Sequence, residues 1–406
     1  MQSRYDQVYS GSADRARYAA LRDRLRAMGR LDSDIRLFSA PGRTELGGNH
    51  TDHQNGKVLA AAVDVDTIAA VADNGTDRIR FHSAGFPPCE LSIRPEENRE
   101  VPPQSTAALL AGMIAMFAQK CELRGLDICA QSTVLPGSGL SSSASVEVLL
   151  ACVLNRLFSA GLSAVELAKI GQRVENVYFG KPCGLLDQAA SAVGGVSYMD
   201  FRDSDAPSIE KLCLDLDSAG YALFLIDCGA SHADLTEEYA SIPREMKRVC
   251  AAFGAEKLSE VEESVFYAKL QELRSTCSDR AILRAMHIFD ENRRVDAMRS
   301  ALMEGNFPRY LDLVRASGLS SWRFLQNIAP SGSLAQPMAL TLAVCEKILD
   351  GRGACRVHGG GFAGTAQAYV PLELADRFPQ ALERLLPSAS CMRRRIRAVG
   401  ASEILL

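Results

Sequence analysis

The chain has 406 residues, 47% hydrophobic and 23% charged, with a formal net charge of −4. That is the make-up of a globular protein of two or three domains. It excludes a strongly basic protein held on nucleic acid by bulk charge, and it excludes an acidic disordered tail.

The first thirty-five or so residues are Arg-rich and read as a surface helix. Ile35 to Ala40 reads as a strand closed by the turn pair Pro41-Gly42, and a polar loop from Arg43 to Gly56 follows. Strands are predicted over Val58–Ala72, Arg78–His82 and Cys89–Ile93, a helix over Gln104–Lys120, and a strand over Leu126–Leu135. Pro136-Gly137-Ser138-Gly139-Leu140 and a serine run then open a helix with Val146, Leu149, Leu150, Val153, Leu154 and Leu157 on one face. Ser163-Ala164-Val165-Glu166 is a capping box, so a second helix starts there and runs to about Tyr178. The polar stretch 202–208 is the best candidate boundary between two lobes, 1–203 and 204–406. Beyond it lie a strand at Tyr221–Asp227 and a largely helical stretch from Tyr239 to Leu349. Strands at Ala354–Val357 and Ala366–Val370 flank a glycine cluster, and a last helix and strand close the chain. This mixture predicts an α+β fold in two lobes. No apolar run approaches the roughly 18 to 20 residues of a membrane span. Met1 to Asp6 carries no apolar leader segment, and the 12 cysteines form no Cys-x-x-Cys pair. The expectation is a cytoplasmic protein with reduced thiols, acting neither on nucleic acid nor on a membrane.

Three loops carry chemistry. In Pro136-Gly137-Ser138-Gly139-Leu140-Ser141-Ser142-Ser143-Ala144, glycines let backbone N–H groups approach an anion, and a helix start adds unpaired donors. The hydroxyls can bond phosphate oxygens or ligate Mg2+; a plain glycine turn with serine N-caps is the alternative. No Gly-Lys-Ser/Thr follows, so this is not a Walker A loop. Gly359-Gly360-Gly361-Phe362-Ala363-Gly364 matches Gly-x-Gly-x-x-Gly, but Thr365 to Val370 reads as a strand, which rules out a dinucleotide fingerprint. The loop from Pro41 to Gly56 packs an Arg, a Glu, an Asp and two His together, a density suited to a hydroxyl-rich ligand. His50, Asp52 and His53 are metal-ligand types, but no fourth ligand stands at a recognised spacing.

In this order the loops resemble those of the GHMP small-molecule kinase superfamily, most closely its galactokinase family. Pro41, Gly42, Arg43, Leu46, Gly48, His50, Thr51 and Asp52 fit the usual sugar loop, Pro-Gly-Arg-x-Asn-Leu-Ile-Gly-Glu-His-Thr-Asp-Tyr. Pro136 to Ala144 fits the nucleotide loop, the glycine cluster fits the third motif, and the stretch from Gly180 to Gln188 resembles the loop carrying the catalytic aspartate. The resemblance implies a two-lobed kinase with its site in the cleft between lobes, phosphorylating the anomeric hydroxyl of galactose or a related sugar with ATP and Mg2+. It implies that Arg43 and Asp187 are catalytic, and that Asn49, His50, Asp52, Gly184 and Tyr239 bind the sugar. Pro136, Gly137, Ser138, Gly139, Leu140, Ser141, Ser142, Ser143 and Ala144 would bind ATP, and Ser143 and Glu175 would hold Mg2+. A monomer working on a small-molecule sugar is the expectation.

The sugar loop departs from the family pattern. Glu45 stands in place of Asn, Gly47 of Ile, Asn49 of Glu, His53 of Tyr, and Gln54 of the Asn that usually follows. Loss of the acid at position 49, which the resemblance implies reads the 6-hydroxyl end, makes a 6-carboxylated, 6-deoxy, pentose or N-acetylated sugar admissible. Two other readings stand beside the kinase: a sugar- and ATP-binding sensor with little turnover, and a GHMP kinase for a non-sugar alcohol.

Overall fold

Two long strands form the spine of the molecule: β2, Arg36–Gly47, and β3, Lys57–Asp73. A computed structural model describes residues 2–9, 13–135, 139–229, 236–362 and 364–406. Around the spine, β1 (Gln2–Arg4), β4 (Arg78–Ser83), β5 (Cys89–Ser92), β6 (Leu126–Ser132), β7 (Val196–Asp200), β8 (Ser208–Leu212) and β13 (Ser402–Leu405) complete a nine-stranded sheet. Its order is β1-β13-β2-β3-β6-β4-β5, and the hairpin β7-β8 is added to the near end of β3. A second sheet, β10 (Ala354–Val357), β11 (Thr365–Pro371), β9 (Tyr221–Asp227) and β12 (Ser390–Arg394), is fully antiparallel in that order.

β3 is nearly continuously apolar because both of its faces are covered. Ala69 and Val71 face the core under helices Thr106–Ala118, Ser142–Leu157, Ala164–Val174 and Leu186–Val193. Ile68, Ala70 and Ala72 face Tyr18, Leu21 and Leu25 of the N-terminal helix. Nearer the cleft, Leu59 and Ala61 meet Val295 and Met298 of the long helix Asp279–Met303, so the second half of the chain packs directly on the first sheet. A further core lies between the second sheet and helices Pro337–Leu349 and Phe378–Leu385.

The capping box forms as predicted. The Ser163 hydroxyl accepts from the Glu166 N–H, and Glu166 returns the bond to the Ser163 N–H at 2.8 Å. The helix it opens ends at Val174 and passes into a π-helical turn, Glu175–Phe179, which ends on left-handed Gly180. Two segments differ from the sequence reading. β2 does not stop at Pro41; a bulge between Pro41 and Arg43 lets the strand pass the proline and run on to Gly47. The stretch 202–208 covers the turn of the β7-β8 hairpin, and both β8 and β13 join the first sheet although they follow residue 204. Among the described residues no helix is long and apolar enough to cross a membrane.

Candidate active site

The bulged end of β2 is stitched to the loop before the serine helix. The Arg43 backbone N–H donates to the Leu140 carbonyl at 3.1 Å. A Cβ on Gly42 would press on that same carbonyl and on the Val134 methyls at 3.1–3.3 Å, so a close backbone approach requires glycine there. This contact aims the Arg43 side chain across the cleft. Its Nε donates to Asp187 Oδ1 at 2.5 Å, and its guanidinium also reaches the Gly139 carbonyl.

Asp187 lies in the first turn of helix Leu186–Val193, and among the described residues its carboxylate bonds side chains rather than a backbone N–H. Oδ1 takes Arg43, and Oδ2 accepts from the Ser141 hydroxyl at 2.6 Å. Burial works to raise the Asp187 pKa. The charge and hydrogen bond of Arg43, with the Ser141 bond, outweigh it and hold the carboxyl below its ordinary 3.8. Ser141 is the N-cap of helix Ser142–Leu157 in the left-handed region (φ 60°), and it makes no side-chain capping bond. The first-turn N–H groups of that helix therefore face the cleft without an intrahelical acceptor.

In the first turn of that helix, Ser143 Oγ donates to Glu175 Oε1 at 2.9 Å. A hydroxyl and a carboxylate meeting in this way form the hard-oxygen donor set that suits Mg2+, which takes only one or two protein ligands beside phosphate and water. Lys181 Nζ stands 3.4 Å from the same oxygen. Behind them one amide group, Gln188 Nε2, donates to Glu175 Oε2 at 2.8 Å and Glu147 Oε2 at 2.9 Å. Burial first, and then the charge of Glu175, push the Glu147 carboxyl well above its usual range. Of the residues expected to form the nucleotide loop, Pro136, Gly137 and Ser138 lie outside the described residues, as does Ala363 of the glycine cluster; Ser141 and Ser143 bond Asp187 and Glu175 as above, and Leu140 and Ala144 are buried.

One side of the cleft is lined by Arg43, Glu45, His50, Asp52, Lys181, Gly184, Asp187 and Gly360. His50 adopts φ 62°, and its Nε2 lies 3.1 Å from the Gly360 carbonyl. Burial, reinforced by the neighbouring His53, lowers its pKa to about 3, so the ring is neutral. Because the carbonyl is an acceptor, Nε2 carries the proton and Nδ1 is left as an acceptor. Asp52 packs against the Gly184 Cα so closely that a Cβ there would collide with its carboxylate.

Two of the residues expected to bind sugar do not line this cleft. Asn49 is fully buried, and its side chain is saturated. Its Nδ2 donates to the Gly359 carbonyl (2.6 Å) and Glu45 Oε1 (3.2 Å), while Oδ1 accepts from Asn327 (2.8 Å) and Ser321 (3.3 Å). Its backbone carbonyl also meets His287 Nε2 at 3.0 Å. Tyr239 lies against Gly360 and donates its hydroxyl to the Gly361 carbonyl at 2.9 Å, so it supports the glycine turn from behind. Conversely, sequence reasoning did not assign Glu45, Lys181, Gln188 or Glu147 to the site. The departure at position 45 was the only available signal for Glu45; for the others the signal was their spacing from Asp187 and Ser143.

The family model for the GHMP kinases N terminal domain matches residues 108–195, and the galactokinase galactose-binding signature matches residues 27–73. A galactokinase from Streptomyces coelicolor is 31% identical over 354 residues, 87% of this chain and 89% of that protein. The crystal structure of Lactococcus lactis galactokinase complexed with galactose superposes with a TM-score of 0.81 at 24% identity, covering 95% of this chain and 99% of that one. A mevalonate kinase from Methanococcus jannaschii shares the fold at a TM-score of 0.63 and 14% identity, over 90% of this chain and 99% of that one.

Proposed function

This chain belongs to the galactokinase family of the GHMP kinases, and from that membership we infer that its cleft transfers a phosphoryl group from ATP to the anomeric hydroxyl of galactose or a closely related monosaccharide. The observation that carries the reading is the double hold on Asp187, by Arg43 at 2.5 Å and Ser141 at 2.6 Å, at the point where the acceptor cleft meets the serine helix.

Phosphoryl transfer asks the protein mainly for positioning and charge stabilisation. Each Asp187 oxygen keeps a lone pair beyond the bond it already makes, and one of these orients the acceptor hydroxyl. A carboxylate held below its ordinary pKa is a weak base, so Asp187 takes the proton only as the new O–P bond forms. Arg43 keeps that carboxylate ionised and places positive charge beside the transferring group. His50 and Asp52 hold ring hydroxyls, His50 through Nδ1 as acceptor. Gly184 gives Asp52 its room. Ser141, Ser142 and Ser143 with the helix N–H groups take the phosphates, and Ser143 and Glu175 hold Mg2+. The bound ion supplies charge neutralisation on those phosphates. We place Asn49 and Tyr239 as supports of this site. We take the two lobes to divide near residue 204, with β8 and β13 returning to the first, and the working unit to be a cytoplasmic monomer.

The test is ADP release from purified protein with Mg2+-ATP across galactose, glucose, arabinose, fucose, galacturonate, galactosamine and N-acetylgalactosamine, with Asp187→Ala as control. Turnover on a member of the panel that vanishes in the control is the expected result. Turnover on none of them overturns the reading.

A further inference from the structure

Position 45 and position 49 exchange an amide and a carboxylate relative to the usual loop, and the structure joins the two in one hydrogen bond, Asn49 Nδ2 to Glu45 Oε1 at 3.2 Å. The partners differ in what they have left. All four hydrogen-bonding positions of the Asn49 side chain are engaged by protein groups, so nothing remains to read a ligand. Glu45 is half engaged. Its Oε1 accepts from Asn49 and from the guanidinium of Arg356, whose side chain is fully buried. Its Oε2 has no partner among the described residues. The side chain keeps 8% of its surface and lines the acceptor cleft beside Arg43 and Asp52.

A carboxylate oxygen in this state is not a core feature. Oε2 is not among the buried unpartnered oxygens; Glu45 lines the cleft, where an acceptor can meet a hydroxyl donor. Arg356 supplies the counter-charge from behind, which fixes the carboxylate and makes it tolerable when water is displaced. The two cations of the cleft are already occupied, Arg43 by Asp187 and Lys181 by Glu175. Of the carboxylates that line the cleft, Asp52 has no cation partner among the described residues, and Glu45 is paired only through Oε1, which leaves Oε2 toward the cleft.

We propose that Glu45 is a specificity-determining residue of this cleft: its Oε2 accepts a hydrogen bond from one hydroxyl of the sugar, and position 49 takes no part in reading it. The acceptor is then a neutral sugar carrying that hydroxyl. A uronic acid is refused, which reverses the admission of 6-carboxylated sugars made from the loss of the acid at position 49. The proposal rests on the sugar-kinase reading, and the two can fail separately.

The experiment measures kcat and KM for the sugar the wild-type protein uses best in the panel, for each of its monodeoxy forms, and for its uronic acid. Absence of turnover on every sugar refutes the kinase reading itself. Given turnover, wild type is expected to lose at least about a hundredfold in kcat/KM on one monodeoxy sugar and on the uronic acid, because a site built around a hydroxyl rejects the analogue that lacks it. Glu45→Gln preserves the acceptor used by Asn49 and Arg356. It is expected to lose about tenfold to a hundredfold on the full sugar, mostly in KM, and little on that same monodeoxy form. A uniform loss across all monodeoxy forms would show a purely structural role and overturn the proposal. If Glu45→Gln does not fold, the paired exchange Glu45→Asn with Asn49→Glu restores one carboxylate and one amide; it is expected to move the sensitivity to a different hydroxyl, and an unchanged monodeoxy profile overturns the proposal. The wild-type arm needs no variant: comparable kcat/KM on the sugar and its uronic acid overturns it alone.

Discussion

Arg43→Gln separates the two duties assigned to Arg43. The guanidinium lies 2.5 Å from Asp187 Oδ1, and burial alone would raise the aspartate. At a charge separation of about 4 Å and an effective dielectric of about 20, the pair is worth about 4 kcal/mol. The Asp187 side chain is 30% exposed, so solvent screens part of that, and the Ser141 bond survives the substitution. The expected shift of the Asp187 carboxyl is upward, because burial then meets one opposing group fewer. The sign follows from which form works. The active form is the carboxylate, and it is lost as pH falls through the folded-state pKa. In wild type that loss lies below 3.8, out of reach of most assays. In Arg43→Gln it enters the measurable range, while kcat falls by about a thousandfold for lack of a cation at the transferring group. The assay is initial-rate ADP release with Mg2+-ATP saturating, with kcat/KM for the sugar followed from about pH 4 to pH 9. A variant that is slow but keeps the acid limb of wild type would refute the link between Arg43 and the ionisation of Asp187.

Three further outcomes follow from contacts already described. Gly184→Ala puts a methyl group into the Asp52 carboxylate; the KM for sugar is expected to rise about tenfold while the KM for ATP stays put, and a rise in both would mean a general distortion. Asn327→Ala removes the 2.8 Å donor to the buried Asn49 Oδ1; it should cost about 1–3 kcal/mol in urea unfolding and also raise the sugar KM. Glu175→Gln should weaken Mg2+ activation by about tenfold to a hundredfold. In the absence of Mg2+ it should also melt at a higher temperature than wild type, because Glu147 no longer faces a second buried carboxylate; a lower melting temperature would count against that repulsion.

The local elements were readable where local chemistry dictates them. The capping box at Ser163 announces its helix, and the strand after Gly364 correctly removed a dinucleotide site. β2 was cut short at Pro41 because Pro-Gly is normally a turn. What carries the strand onward is a bulge that depends on contact with Leu140, nearly a hundred residues away. The same limit governs the site. Ordered motifs could point to Arg43, Asp187, Ser143 and Glu175. Whether Asn49 faces the sugar depends on Ser321, Asn327 and Gly359, whose proximity no spacing in the sequence reveals. Glu45 was visible as an oddity in the loop, but its meaning needed Arg356, 311 residues downstream.

That last separation has a consequence for how the protein comes into being. The loop at 43–52 is synthesised before the residues that hold it, His287, Asn327, Arg356 and Gly359, and the strand that bears it is flanked by Ser402–Ile404. Loop closure over such distances is slow, so contacts of this kind form late. During synthesis the nucleotide-side helices can pack while residues 43–52 still lack their long-range partners. A chain stopped before Asn327 would then have those helices packed and the 43–52 loop without its Asn327, Arg356 and Gly359 contacts, so the shape of this loop depends on segments made long after it.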